Sequence, residues 1–318
     1  PMFASILVPT IDNTQIEYLL TLLANSGRSV LLLGDSGTAK TATINTFLSK
    51  FDKEKWATKT FNFSSATTPY LFQTSIESIV EKTIGTTYGP IGGKKMEVFI
   101  DDISMPLINE WGDQVTNEIV RQLMEQHGFY SLEKPGEFTT IIKTQFLAGM
   151  CTPGGGRNDI PSRLKRHFAV FNCIMPDEKS IDRIYSTILQ GYFTTERGFA
   201  PALVSLVPNA VKAVREVWQQ TKIKMLPTPA KFHYVFSLRD LSRVTQGMIQ
   251  VIPQYVNTPE LFVALWAHEC IRVFPDKFVC QEDKDWFYGA ITKIGCENFG
   301  DNFEQVLSEA SQHLFCSL

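Results

Sequence analysis

The chain has no sustained apolar run of the length a membrane-spanning helix needs, roughly 20 residues. It has no dominant sign of charge: 30 Lys and Arg against 33 Asp and Glu leave a formal net charge of −3. With no block of like charges, it has no electrostatic footprint for nucleic acid, and neither membrane nor nucleic acid is expected as a partner. Cysteine is sparse and scattered. The six cysteines, at 151, 173, 270, 280, 296 and 316, form no C-x-x-C pair and stand at no ligand spacing to a histidine. Free thiols in a reducing cytosol are the expectation, rather than a disulfide or zinc framework. There is no long heptad pattern, so no coiled coil is expected. The start has no leader-peptide pattern, and the opening Pro1-Met2 with its strand-like run reads as a piece excised from something larger.

What is present is an ordinary globular composition, 44% hydrophobic and 20% charged over 318 residues, long enough for two packed units. The first half alternates strand-like and helix-like patterns. A continuous apolar run at 29–33, largely apolar segments at 97–101, 145–150 and 169–174, and a shorter alternating run at 59–63 predict five strands. Helical stretches fall between them at 41–51, from Thr68-Pro69 to about Lys82, and at 114–127. Strands separated by helices imply right-handed crossovers and a parallel sheet. The Gly-rich stretches 85–93 and 154–156 read as loops or hairpins. After Met175-Pro176 the strand signals stop. Val204, Val207, Val211, Val214 and Trp218 recur at helical spacing, and 261–274 and 302–315 look similar. The predicted fold class is therefore α/β: residues 1–175 form a large nucleotide-binding subdomain with a five-stranded parallel sheet, and residues 176–318 a smaller all-helical one.

The chemistry concentrates at strand ends. Gly34-Asp35-Ser36-Gly37-Thr38-Ala39-Lys40-Thr41 matches G-x-x-x-x-[GA]-K-T, after a buried strand and before a helix. Small residues there let backbone N–H groups turn toward an anion, and the helix adds its positive end. Lys40 would reach the β- and γ-phosphates of ATP or ADP, and Thr41 would place its hydroxyl on Mg²⁺. Ala39 stands where glycine is usual, and its methyl is tolerable if φ is negative. Val98-Phe-Ile-Asp101-Asp102 is an apolar strand ending in two acids. Asp101 is the expected magnesium partner, and Asp102 stands where a glutamate usually polarises the attacking water. A carboxylate shorter by one methylene, displaced about 1 Å, can lower a rate on the order of 100-fold. Thr152 follows the next buried strand as the candidate to bond the γ-phosphate or the water, with Asn158 behind it. Arg163 and Arg166 stand on a short helix where, in a ring, they would face a neighbour's nucleotide. Arg239 lies in the helical half, as a candidate to reach the phosphates.

In this order these motifs are the AAA+ plan, and their wording is narrower. Leu7-Val8-Pro9-Thr-Ile-Asp12, the phosphate loop, Phe99-Ile-Asp-Asp-Ile-Ser-Met-Pro106, Thr152-Pro-Gly-Gly-Gly-Arg-Asn158 and Ser237-Leu-Arg-Asp-Leu-Ser-Arg243 closely resemble dynein heavy chains, over essentially the whole chain. They look most like the third of six AAA+ modules in an axonemal dynein. The resemblance implies Val8 and Pro9 at the adenine, Thr152 at the sensor-one place, Arg239 at the second sensor, and Arg163 or Arg166 as the finger serving the preceding module. It implies a regulatory module that binds Mg–ATP or ADP and gates the ring, with slow or conditional hydrolysis, since Ala39, Asp102 and Thr152 all depart from the usual pattern. Its expected partners are neighbouring modules of the same chain, and microtubules through other parts of the parent protein. The expected location is the cytoskeleton of the ciliary axoneme, and the isolated piece is expected to be a monomer. Two other readings are a structural ring segment holding ADP permanently and a subunit of another AAA+ remodelling ATPase.

Overall fold

A computed structural model describes residue 3, residues 6–154 and residues 157–310. The chain divides into two compact units, Ile11–Met175, and Pro176–Leu318 together with Pro1–Thr10. The sequence reading counts residues 1–10 with the α/β part, whereas this division groups them with the helical unit.

In the α/β unit the elements run α1 (Ile11–Asn25), β1 (Val30–Gly34), α2 (Lys40–Ser49), β2 (Trp56–Asn62), α3 (Pro69–Glu77), β3 (Val80–Ile84), β4 (Thr87–Pro90), β5 (Lys95–Asp101), α4 (Val115–Gln126), β6 (Gly128–Tyr130), β7 (Phe138–Ile141), β8 (Thr144–Met150), α5 (Ser162–Lys165) and β9 (Ala169–Cys173). Five strands form one sheet in the order β2-β5-β8-β1-β9, every neighbouring pair parallel. Successive side chains of a strand point to opposite faces, and the two cores follow that alternation. Leu31, Val98, Ile100, Phe146 and Ala148 pack with Phe72 and Ile76 of α3 and Ile119 and Leu123 of α4. Val30, Leu32, Phe99 and Leu147 pack on the other face with Leu20 of α1 and Ile44 and Phe47 of α2. Both faces are covered, which is why these strands read as continuous apolar runs.

The helix after Thr68-Pro69 starts as predicted, with the Thr68 hydroxyl accepting from the N–H of Leu71. It ends at Glu77, not near Lys82. The following Val80, Thr83 and Ile84 are β-branched and favour a strand, and the chain pairs back through Gly85 as the antiparallel β3–β4 hairpin. That hairpin joins β7 and β6 in a second, four-stranded sheet, β3-β4-β7-β6, which the sequence reading did not anticipate.

The helical unit runs α6 (Glu178–Tyr192), α7 (Pro201–Lys224), α8 (Leu238–Met248), α9 (Pro259–Val273), α10 (Gln281–Phe299) and α11 (Phe303–Ala310). The predicted apolar stripe buries Val207, Val211, Val214 and Trp218 along one side of α7, while Val204 is half-buried. Trp266 is fully buried and its indole N–H donates to the Ala210 carbonyl at 3.2 Å, tying α9 to α7. Phe193 and Phe262 meet edge to face, with centroids 5.2 Å apart. Cys316 and the end of the helix predicted over 302–315 lie outside the described residues. The five described cysteines are free thiols, and no helix among the described residues is long and apolar enough to cross a membrane.

One core position breaks the apolar pattern. Glu97, on β5, is 0% exposed, shares a face with Phe99, and neither carboxyl oxygen has a hydrogen-bond partner. Burial disfavours its charged form and pushes its pKa from 4.5 to about 8. The folded state therefore keeps a proton that the unfolded state releases above pH 4.5. Stability from this group is greatest below about pH 4.5 and falls by roughly 1.4 kcal/mol per pH unit until about pH 8. Glu97→Gln, uncharged at every pH, is expected to flatten that slope when urea unfolding is followed from pH 5 to pH 8. Equal pH slopes for variant and parent would show that Glu97 is not the buried acid described.

Candidate functional site

β1 ends at Gly34, where no side chain fits: a Cβ would stand 2.3 Å from the Cys173 carbonyl oxygen of β9. The loop that follows, Asp35 to Ala39, carries two residues with left-handed backbone, Gly37 at φ 91° and Ala39 at φ 59°, ψ 16°. Ala39 therefore does not meet the condition of a negative φ. Its methyl is accommodated in a conformation that costs a non-glycine residue roughly 1–2 kcal/mol, immediately before the first turn of α2. Lys40 is buried, and its Nζ donates to the carbonyls of Gly34 and Asp35, each at 2.8 Å, and to Thr38 Oγ1 at 3.3 Å. Thr38 Oγ1 in turn donates to the Asp35 carbonyl at 2.9 Å.

Across the sheet, Thr41 Oγ1 donates to Asp101 Oδ2 at 2.7 Å. Asp101 ends β5, and β8 lies between β5 and β1. The carboxylate passes over β8 at Gly149, where an added Cβ would come within 3.1 Å of Asp101 Oδ1. Asp102 adopts φ 53°. Its N–H donates to Asp101 Oδ1 at 3.2 Å and its carbonyl accepts from Met105 N–H at 2.9 Å, so the chain turns sharply beyond the two acids. Asparagine and aspartate tolerate this left-handed region better than most residues. Thr152, two residues past β8, donates its hydroxyl to Asp35 Oδ1 at 2.6 Å. Asn158 is half-buried and makes no side-chain hydrogen bond among the described residues.

The structure thus brings Gly34–Thr41, Asp101, Asp102 and Thr152 together at the C-terminal edge of the parallel sheet. It places the two finger candidates elsewhere in the same unit, Arg163 on α5 and Arg166 at its C-cap, ahead of β9 and so toward the opposite edge. Arg166 is held there: its guanidinium donates to Glu125 of α4 at 2.7 Å, and Glu125 also pairs with Arg121. Arg163 is exposed and has no side-chain partner among the described residues. Val8, Pro9 and Arg239 belong to the other compact unit. There Val8 is buried, Pro9 is exposed, and Arg239 is exposed at the start of α8, its N–H bonded to Ser237 Oγ at 3.3 Å. Two features of the site escape the sequence reading. Gly149 is visible only as a small residue in an apolar run. The Asp35–Thr152 bond joins positions 117 apart, and no local pattern links them.

The donors at the strand ends are hard oxygens beside a buried ammonium, the set that suits a hydrated divalent cation and a phosphate tail. This sheet order, phosphate loop and acid-tipped strand, with a helical unit after them, define an AAA+ P-loop ATPase domain with its helical lid. The family model of the P-loop containing dynein motor region matches residues 1–176, and that of the AAA+ lid domain matches residues 210–310. The chain belongs to the dynein motor-region family. It is similar to dynein axonemal heavy chain 5 of Rattus norvegicus, 56% identical over 301 residues that make up 95% of this chain and 9% of that protein. It is 53% identical over 302 residues to dynein axonemal heavy chain 8 of Homo sapiens, covering 95% of this chain and 7% of that one. The dynein gamma chain of the flagellar outer arm of Chlamydomonas reinhardtii is 47% identical over 325 residues, covering 97% and 7%. The chain therefore spans less than a tenth of the length of these relatives.

The backbone at Ala39 yields an ordering that urea denaturation of the chain can check. Ala39→Gly relieves the left-handed cost but adds freedom to the unfolded chain, for a net gain of up to about 1 kcal/mol. Ala39→Val, β-branched at the same φ, is expected to lose stability. A Val variant as stable as the parent, or a Gly variant below it, would show that Ala39 does not hold this conformation.

Proposed function

We propose that this chain is a regulatory nucleotide-binding module of an axonemal dynein motor, the third of its ring. It binds Mg–ATP or ADP, turns ATP over slowly or conditionally, and gates the ring. The observation that carries the reading is the 2.7 Å pairing of Thr41 with Asp101 beside the buried Lys40. It preorganises two metal-seeking oxygens and one phosphate-seeking cation at a single strand edge. Lys40 and the loop N–H groups would hold the phosphate tail, Thr41 and Asp101 the magnesium, and Val8 and Pro9 the adenine. When bound, magnesium would offset the negative charge of the phosphates. Asp102 would orient the water, and Arg239 would answer to the phosphates. Arg163, without a side-chain partner among the described residues, is the better candidate than Arg166 for the finger that serves the preceding module. Partners are then the neighbouring modules of the heavy chain, with microtubules reached through other parts of it, in the ciliary axoneme.

Slow turnover is supported by departures that leave binding groups in place: Ala39 at a strained φ, Asp102 in place of a longer acid, and Thr152 with its proton already given to Asp35. The strained loop also favours a second reading, a structural segment that holds ADP permanently. Lys40→Ala in the full motor separates the two. On the regulatory reading, microtubule-stimulated ATPase and gliding velocity fall several-fold although the main hydrolysing module is untouched. Unchanged ATPase and gliding would sink the gating role.

A further inference from the structure

Asp35 is the point at which the phosphate loop and the tip of β8 meet. Its carbonyl accepts from Lys40 Nζ at 2.8 Å and from Thr38 Oγ1 at 2.9 Å, and its carboxylate accepts from Thr152 Oγ1 at 2.6 Å. The last distance is that of a charge-assisted O–H···O⁻ bond. A threonine hydroxyl has one proton to give. While Thr152 gives it to Asp35, the same hydroxyl cannot donate to a γ-phosphate or to an attacking water. Nothing in the P-loop pattern requires an acid at this position, since the second residue of G-x-x-x-x-[GA]-K-T is unrestricted. An acid there also sets a negative charge on the loop that receives an anionic tail.

We propose that Asp35 is a positioning residue that restrains hydrolysis at this site by holding the Thr152 hydroxyl. The proposal rests on the reading of Gly34–Thr41 as a nucleotide loop. Asp35 and a γ-phosphate compete for one proton. ADP, which has no γ-phosphate, leaves the Asp35–Thr152 bond closed, whereas ATP must displace it. The bond therefore acts on the ATP state, lowering both turnover and the preference for ATP over ADP. It gives a physical cause for a slow site separate from the strained Ala39 and the short Asp102.

The test uses the full heavy chain with the phosphate loops of its other modules inactivated, so that turnover reports this site. Binding of a fluorescent ADP analogue is measured first, then single-turnover ATP hydrolysis, for the parent, Asp35→Ala, Asp35→Asn, Thr152→Val and the double variant Asp35→Ala/Thr152→Val. Losing a hydrogen bond to a charged acceptor corresponds to roughly tenfold or more in the competing step. Asp35→Ala is therefore expected to raise the hydrolysis rate about tenfold, with ADP affinity moving much less, and Asp35→Asn to fall between it and the parent. In the Thr152→Val background, Asp35→Ala is expected to give no rise. If ADP binds but Asp35→Ala leaves the rate unchanged or lowers it, or if the rise survives Thr152→Val, the proposal is overturned and the nucleotide reading stands. A parent site that does not bind ADP would overturn both.

Discussion

The hydroxyl-to-carboxylate bond between Thr41 and Asp101 is the constraint on which the site depends. It joins the first turn of α2 to the end of β5 at 2.7 Å, although those elements flank different strands. The pairing requires three conditions at once. The strands must be parallel, so that β1, β5 and β8 all finish at one edge. The register must bring Ile100 level with Ala148 and Leu32 level with Gly149, so that Asp101 ends beside the phosphate loop. And β8 must carry no side chain at Gly149, because a methyl there would press on the carboxylate. The apolar faces that build the sheet are thus what bring two polar atoms, 60 residues apart, into reach.

Around this bond, the loop departs from an unstrained arrangement in a consistent direction. Ala39 and Asp102, on either side of the Thr41–Asp101 pair, both hold positive φ. Such conformations persist only where the surroundings over-determine them, and they concentrate at functional sites. Here the surroundings are named: Lys40 anchored on the Gly34 and Asp35 carbonyls, and the turn closed by Met105 N–H on the Asp102 carbonyl. Lys40 thus closes the phosphate loop on its own start, and the Met105 bond fixes the turn that carries Asp102. A loop held this way has little room to adjust, and binding and turnover make different demands on it.

Much of this was legible in sequence because it is local. A buried parallel strand is a run of apolar residues, a phosphate loop is eight consecutive positions, and an N-cap such as Thr68-Pro69 is two. Five strands and the loop were readable on that basis. What stayed hidden is non-local or too short to show a period. The strands β6 and β7 have three and four residues, below the length at which alternation can be told from chance. The end of α3 is hidden because Ile79-Val80 suits a helix or a strand equally, and pairing with β4 decides between them. Glu97 was read as part of a buried strand, but not as a carboxyl without a partner. That property depends on the burial of the whole side chain, which no local pattern shows.

The helical unit shows how one position can argue for a ligand without any partner in view. α8 opens with a capping box: Ser237 Oγ accepts from the helix N–H groups while Asp240 accepts from the Ser237 N–H at 2.8 Å. Asp240 is buried and also takes Lys277 and Arg243, so its charge is already matched. Arg239 sits between these two caps, exposed, with no ion-pair partner among the described residues. A helix N-terminus carries partial positive charge, so a cation in its first turn is disfavoured by a few tenths of a kcal/mol to about 1 kcal/mol. Helix stability thus gives no reason for an arginine at 239, and the acid beside it is spent on other bases. An exposed arginine with no ion pair among the described residues is compatible with the proposed second-sensor role, and equally with a side chain that is simply solvated.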